Sequence, residues 1–121
     1  VSVHAYTPYE FSLNINGTAE WDIEKDTKDI DYLMQTIDEV FLQNGTSVII
    51  GEFGALNKEN EAERVEWVTY YLSKAKEIGV PCVWWDNGSF QGNGENFGLI
   101  NRRELTFPYP DLLEAMMDVT E

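Results

Sequence analysis

Glu52 ends the apolar run Val48-Ile49-Ile50, held between Gly51 and the Phe53-Gly54 pair. A run of β-branched residues bounded by glycine reads as a buried parallel strand. A carboxylate at the C-terminal tip of such a strand either faces solvent and a basic partner or points into a pocket. In a pocket it is the raw material of a nucleophile or a proton carrier. The glycines leave room for another group to come close to the backbone. Two further apolar runs end in residues that can do chemistry. Val1-Ser2-Val3 leads into His4 and Tyr6, and Cys82-Val83-Trp84 leads into Trp85 and Asp86. His4 and Tyr6 lie two apart on an extended segment, so they share a face.

The elements that must position these residues follow from periodicity. Residues 1–6 alternate and stop at Thr7-Pro8, and residues 7–26 carry turn material (Pro8, Asn14, Asn16, Gly17) and read as loop. Ile30, Leu33, Met34, Ile37, Val40 and Phe41 form one apolar stripe, which predicts a helix over 27–43 closed by Asn44-Gly45. A strand over 47–53 follows. A second helix over 60–78 places Val65, Val68, Leu72 and Ala75 on one face, with Gly79 as its stop. Pro81 opens a third strand, residues 82–85. A glycine-rich loop spans 86–98, a short hairpin or irregular extended pieces lie between Phe97 and Phe107, and a last helix runs from Pro110 to Met117.

Three strands each followed by a helix predict a parallel sheet with helices outside. Chemistry-bearing residues at the C-terminal ends of successive parallel strands mark an eight-fold β/α barrel. A dinucleotide-binding sheet would want a glycine-rich phosphate turn after a strand, and none is present. A barrel takes about 250 residues, against 121 here. The expectation is therefore an α/β chain that forms about three β/α units of a barrel.

Charge and composition narrow the partners. The net charge is −14, from 8 Lys plus Arg against 22 Asp plus Glu. Such a chain repels nucleic acid and anionic lipid. No stretch is long or apolar enough for a membrane-spanning helix, and no signal peptide is visible from Val1 onward. Cys82 is the only cysteine, so an internal disulfide or a cysteine-based zinc cluster is not expected. It reads as a small apolar residue. Asp22, Glu24 and Asp26 alternate like calcium ligands, but the loop lacks the central Gly and terminal Glu of an EF-hand and reads as a solvated acidic loop. The sequons at Asn16, Asn44 and Asn87 coincide with Asn-Gly turn chemistry. Neither a metal nor a cofactor is expected.

In this order and at this spacing, His4-Ala5-Tyr6, Ile50-Gly51-Glu52-Phe53-Gly54 and Val83-Trp84-Trp85-Asp86-Asn87-Gly88 resemble the last three strands of glycoside hydrolase family 5. The Trp-Trp-Asp-Asn-Gly run looks like its endoglucanase and xyloglucanase subfamily, known from secreted cellulases. The resemblance extends through Leu99-Ile100-Asn101-Arg102 to the last helix. It implies that residues 1–121 are the C-terminal part of one barrel domain, strands six to eight. It also implies an extracellular enzyme acting on β-glucan.

Carried over residue by residue, the resemblance makes Glu52 the catalytic nucleophile of a retaining mechanism, in which two carboxyl groups stand about 5–5.5 Å apart. Tyr6 would hydrogen-bond and orient Glu52, and His4 would bind substrate hydroxyls or support the acid/base. Trp85 would form the sugar platform, with Trp84 in the core. Asp86 and Asn87 either contact substrate or shape the turn. Trp21 either walls a neighbouring subsite or packs under its own loop. The family's acid/base is a Glu that follows an Asn at the end of strand four. Here Asn60-Glu61 stands instead at a helix start, and Glu95 follows Gly94, so the proton donor is expected outside this chain.

Two functional readings follow. One is the C-terminal part of a retaining endo-β-1,4-glucanase, inactive alone. The other is a non-catalytic carbohydrate-binding or structural barrel fragment. In either case the open sheet edges call for the missing N-terminal barrel portion or a second copy as partner.

Overall fold

The computed structural model describes residues 1–121. The elements in chain order are β1 (Ser2–His4), α1 (Tyr9–Ser12), α2 (Lys28–Val40), a 3-10 turn (Leu42–Asn44), β2 (Ile49–Phe53), α3 (Glu61–Glu77), β3 (Cys82–Trp84) and α4 (Pro110–Thr120). The strands form one parallel sheet in the order β1-β2-β3. The expected α/β alternation is present. The segment expected to be loop over 7–26 contains the short turn α1, which buries Phe11 and Ser12. Between Phe97 and Phe107 a single antiparallel bridge joins Asn101 to Thr106.

The α2 stripe buries Ile30, Met34 and Ile37, while Val40 is exposed at the helix end. Gly45, at φ 79°, and Gly79, at φ 72°, turn the chain after α2 and α3 in the left-handed region that glycine adopts without a Cβ penalty. α3 does more than the aliphatic stripe predicts. Besides Val68, Leu72 and Ala75 it buries Arg64, Trp67 and Tyr71. The Trp67 and Tyr71 rings stack on Phe53 of β2, at 5.9 Å and 4.8 Å between centroids. Their polar tips reach the chain just after β1. Tyr71 Oη donates to the Ala5 carbonyl (2.9 Å) and Trp67 Nε1 to the Thr7 carbonyl (3.0 Å). Buried Tyr and Trp need such partners, and here the partners flank Tyr6.

Arg64 is fully buried. Its Nη2 donates to the Ala55 carbonyl (2.9 Å), and its guanidinium lies over the rings of Tyr109 (5.0 Å) and Trp84 (5.6 Å). Burial lowers its pKa to about 10. The two rings offer the cation attraction of their π faces, and the charge of Glu61 acts in the same sense.

The core lies between the sheet and the helices. On the other face of the sheet Ile49 and Val83 stay exposed. β1 and β3 each keep one unpaired edge.

Candidate active site

Strict alternation would put Glu52 on the same face as Ile50, which is fully buried toward the helices. The strand does not alternate strictly. The β1–β2 register shifts between Val3 and His4, and the β2–β3 register shifts between Ile50 and Phe53. Ile50 and Phe53, three apart, both pack into the core. Glu52 between them is turned away from it, its side chain 28% exposed. A bulge at a strand tip re-aims a side chain in this way.

Three of the sequence-derived residues converge there. Tyr6 Oη donates to Glu52 Oε1 at 2.6 Å, and His4 Nδ1 lies 3.1 Å from Glu52 Oε2. Each carboxylate oxygen thus has a partner, and His4 itself is mostly open to solvent. The Ala5 amide donates to the Glu52 carbonyl (2.9 Å), which ties the backbones of β1 and β2 at the same level. The Tyr6 phenol is held strongly in its protonated form, first by burial, then by its bond to Glu52 and by the charges of Glu52 and Glu95. It is a fixed hydrogen-bond donor. The glycines beside Glu52 are used by this protein's own groups. A Cβ on Gly51 would sit 2.3 Å from Ser2 Oγ, and one on Gly54 would sit 3.1 Å from Phe97 Cδ1.

Trp85 extends from the tip of β3 with 45% of its surface open, its amide donating to the Phe53 carbonyl (2.9 Å). Trp84, adjacent and on the other face, packs edge-on to Phe53 and Trp67 and donates from Nε1 to the Phe97 carbonyl (2.8 Å).

The remaining candidates engage other parts of the chain. Trp21 is only 3% exposed and packs against Tyr70 (5.8 Å between centroids), so it presents no ring face to a ligand. Asp86 shapes the loop. Its Oδ1 accepts from the Gly88 amide and its Oδ2 from the Leu99 and Ile100 amides. Asn87 does the same, accepting from the Ser89 and Phe97 amides and donating to the Glu95 carbonyl. Of the two alternatives for this pair, the structure shows the turn role, and the exposed Asn87 keeps one amide hydrogen free. Asp22 and Asp26 likewise accept from nearby amides within their own loop. Glu61, from the only Asn-Glu pair, caps α4 by accepting from the Asp111 and Leu112 amides. Phe97 escaped sequence reasoning, since a lone Phe in a glycine-rich loop carries no periodic signal.

A parallel sheet with outer helices and a polar cluster at the C-terminal strand tips defines part of a β/α-barrel enzyme. The family model for cellulase (glycosyl hydrolase family 5) matches residues 1–91. The chain is 51% identical over 117 residues to Endoglucanase B of Neocallimastix patriciarum, covering 97% of this chain and 24% of that protein. It is 48% identical over 121 residues to Endoglucanase 1 of Ruminococcus albus, covering 100% and 29%. It superposes with a TM-score of 0.93, at 49% identity, on a GH5-4 broad specificity endoglucanase from Ruminococcus champanellensis with bound cellotriose, covering 97% of this chain and 34% of that one. A xyloglucan-specific endo-β-1,4-glucanase from a metagenomic library, in complex with cellotriose, gives 0.92 at 34% identity, covering 98% and 35%. The chain belongs to glycosyl hydrolase family 5. It spans 24% to 35% of the length of these relatives, and its sheet is three β/α units of their barrel.

Proposed function

We propose that Glu52 is the nucleophile of a retaining endo-β-1,4-glucanase acting on cellulose, mixed-linkage glucan or xyloglucan. The observation that carries this reading is the Glu52 carboxylate at a strand tip, hydrogen-bonded by Tyr6 on Oε1 with His4 Nδ1 3.1 Å from Oε2. A carboxylate fixed in this way has already lost freedom that would otherwise be lost on reaching the transition state. It attacks the anomeric carbon to give a glycosyl-enzyme, and a second carboxyl group protonates the leaving oxygen and then activates water. That second group comes from the rest of the barrel, so residues 1–121 alone do not turn over. Trp85 offers its open ring to the apolar face of a sugar, and His4 offers its exposed edge to substrate hydroxyls. The bound cellotriose of two relatives supports the substrate class.

The unpaired edges of β1 and β3 and the exposed Ile49 and Val83 are covered by the remaining barrel strands. Studied alone, the chain pairs with a second copy, and a compact monomer in sedimentation would contradict this. No helix here is long and apolar enough to cross a membrane. The enzyme degrades polysaccharide outside the cell, where the polymer lies.

The test is Glu52→Gln in the intact protein, assayed on soluble β-glucans. Loss of at least ~10³-fold in kcat with an unchanged melting temperature is expected of a nucleophile. Most of the activity surviving would remove the assignment. The rival reading, a sugar-binding or structural fragment, rests on the proton donor, since the one Asn-Glu pair of this chain places Glu61 at the start of α3, where it caps α4. Calorimetry of the isolated chain with cello-oligosaccharides tests it, and clear binding by this piece alone would favour it.

A further inference from the structure

We propose that Phe97 is a positioning residue for the nucleophile, acting through Tyr6; the proposal rests on the reading of Glu52 as nucleophile. Phe97 touches neither oxygen of Glu52. Its ring lies against the Tyr6 ring, 5.5 Å between centroids at 58°. It is 2% exposed, although it belongs to a loop whose residues 91–95 are all exposed. The loop goes out into solvent and returns to bury one ring against the phenol.

The return is fixed from several sides. The Phe97 carbonyl accepts from Trp84 Nε1 (2.8 Å), and its amide donates to Asn87 Oδ1 (3.2 Å). The Asn57 amide donates to the Asn96 carbonyl (2.9 Å), and the Gly98 amide to the Ser89 carbonyl (2.7 Å). Gly98 passes so close to that strand of the loop that a Cβ would sit 2.9 Å from the Ser89 carbonyl oxygen. On its other side the ring rests over Gly54, two residues beyond Glu52, where any Cβ would press on it. Phe97 is therefore wedged between the backbone that follows the nucleophile and the phenol that holds the nucleophile.

The consequence is confinement of Tyr6. A phenol ring needs both its hydroxyl bond and a packed face to stay in one rotamer. Phe97 supplies a packed face to the Tyr6 ring. This agrees with burial being the leading cause of the phenol's raised pKa. Removing the ring takes away no hydrogen bond to Glu52, so its first effect falls on the donor to Oε1, with the backbone at Gly54 also losing a contact.

A double-mutant cycle in the intact protein tests this. Tyr6→Phe, Phe97→Ala and the double variant are compared for kcat and KM on an aryl β-cellobioside, with melting temperatures recorded. Phe97→Ala is expected to lower kcat ~10-fold with KM within about twofold, and in the Tyr6→Phe background the same change is expected to cost less than about twofold. An equal loss in both backgrounds, or a rise in KM at unchanged kcat, would overturn the proposal, because the ring would then support the loop and not the phenol. Should Phe97→Ala not fold, Phe97→Leu carries the same cycle with the apolar volume largely kept. Glu52→Gln run in parallel separates the two levels. Activity in that variant sinks the nucleophile assignment, whereas an inactive Glu52→Gln with no Tyr6–Phe97 coupling sinks only the role of Phe97.

Discussion

The Tyr6 hydroxyl meets Glu52 Oε1 at 2.6 Å across the register shift between β1 and β2. A neutral donor on an ionised acceptor makes a strong bond, about 1.5–3 kcal/mol for a charged partner. It orients the carboxylate without competing for its charge, since the phenol stays protonated. Tyr6→Phe in the intact enzyme is therefore expected to lower kcat by roughly 10- to 100-fold, the rate equivalent of that bond, with KM changed little. Steady-state kinetics on a soluble β-glucan check this, and a wild-type kcat would show that His4 alone suffices to hold Glu52.

Trp85 calls for the opposite split. Its ring is open, at the tip of β3, and makes no hydrogen bond to Glu52. Truncation to Ala removes apolar area that a sugar face would cover, at about 25 cal/mol per Å². A loss of ~1–2 kcal/mol in binding, or roughly a tenfold rise in KM for oligosaccharides, is expected. A kcat defect without a change in KM would place Trp85 outside the binding surface.

How much of this was legible beforehand depends on the kind of signal. Glu52 stood out because a carboxylate interrupts an apolar run, and Gly45 and Gly79 because a helical period stops at each. The bulge at β2 leaves no trace in the pattern, and strict alternation would have paired Glu52 with the buried Ile50. Trp67 and Tyr71 were passed over because an aliphatic stripe already accounted for the α3 face. Their tips act on carbonyls 60 and 66 residues away, at Thr7 and Ala5. Trp21 could be read two ways in sequence, and its burial against Tyr70 decides between them. Pairings between distant segments are what sequence pattern does not encode.

Stability is expected to fall as the solution becomes alkaline. Burial raises the Cys82 thiol from 9.0 to about 12, and the phenols of Tyr6, Tyr70, Tyr71 and Tyr109 all lie above their ordinary 10.0. Above pH about 9 the unfolded chain has begun to lose protons that the folded chain keeps, so the folded state binds more protons and stability declines with pH. Arg64 and Lys58, whose values burial lowers, act in the opposite sense, but they are two groups against five. Melting temperatures between pH 7 and 11 should be flat at first and then descend from about 9 onward. A Cys82→Ala variant should descend later. A curve that rises through this range would contradict the assigned shifts.

The grip of α3 on the chain around Tyr6 should show in both stability and rate. Tyr71 Oη donates to the Ala5 carbonyl and Trp67 Nε1 to the Thr7 carbonyl, one on each side of Tyr6. Tyr71→Phe keeps the ring stacked on Phe53 and removes only the donor. A buried carbonyl left without its partner costs about 1–3 kcal/mol. The segment that carries Tyr6 would relieve that cost by shifting toward water, which lengthens the Tyr6–Glu52 bond. Denaturant melts of the intact protein should show the stability loss, and kcat should fall with it while KM holds. If stability drops and kcat does not, the β2 contacts of Ala5 and Glu52 alone fix the phenol, and α3 serves the fold without serving the site.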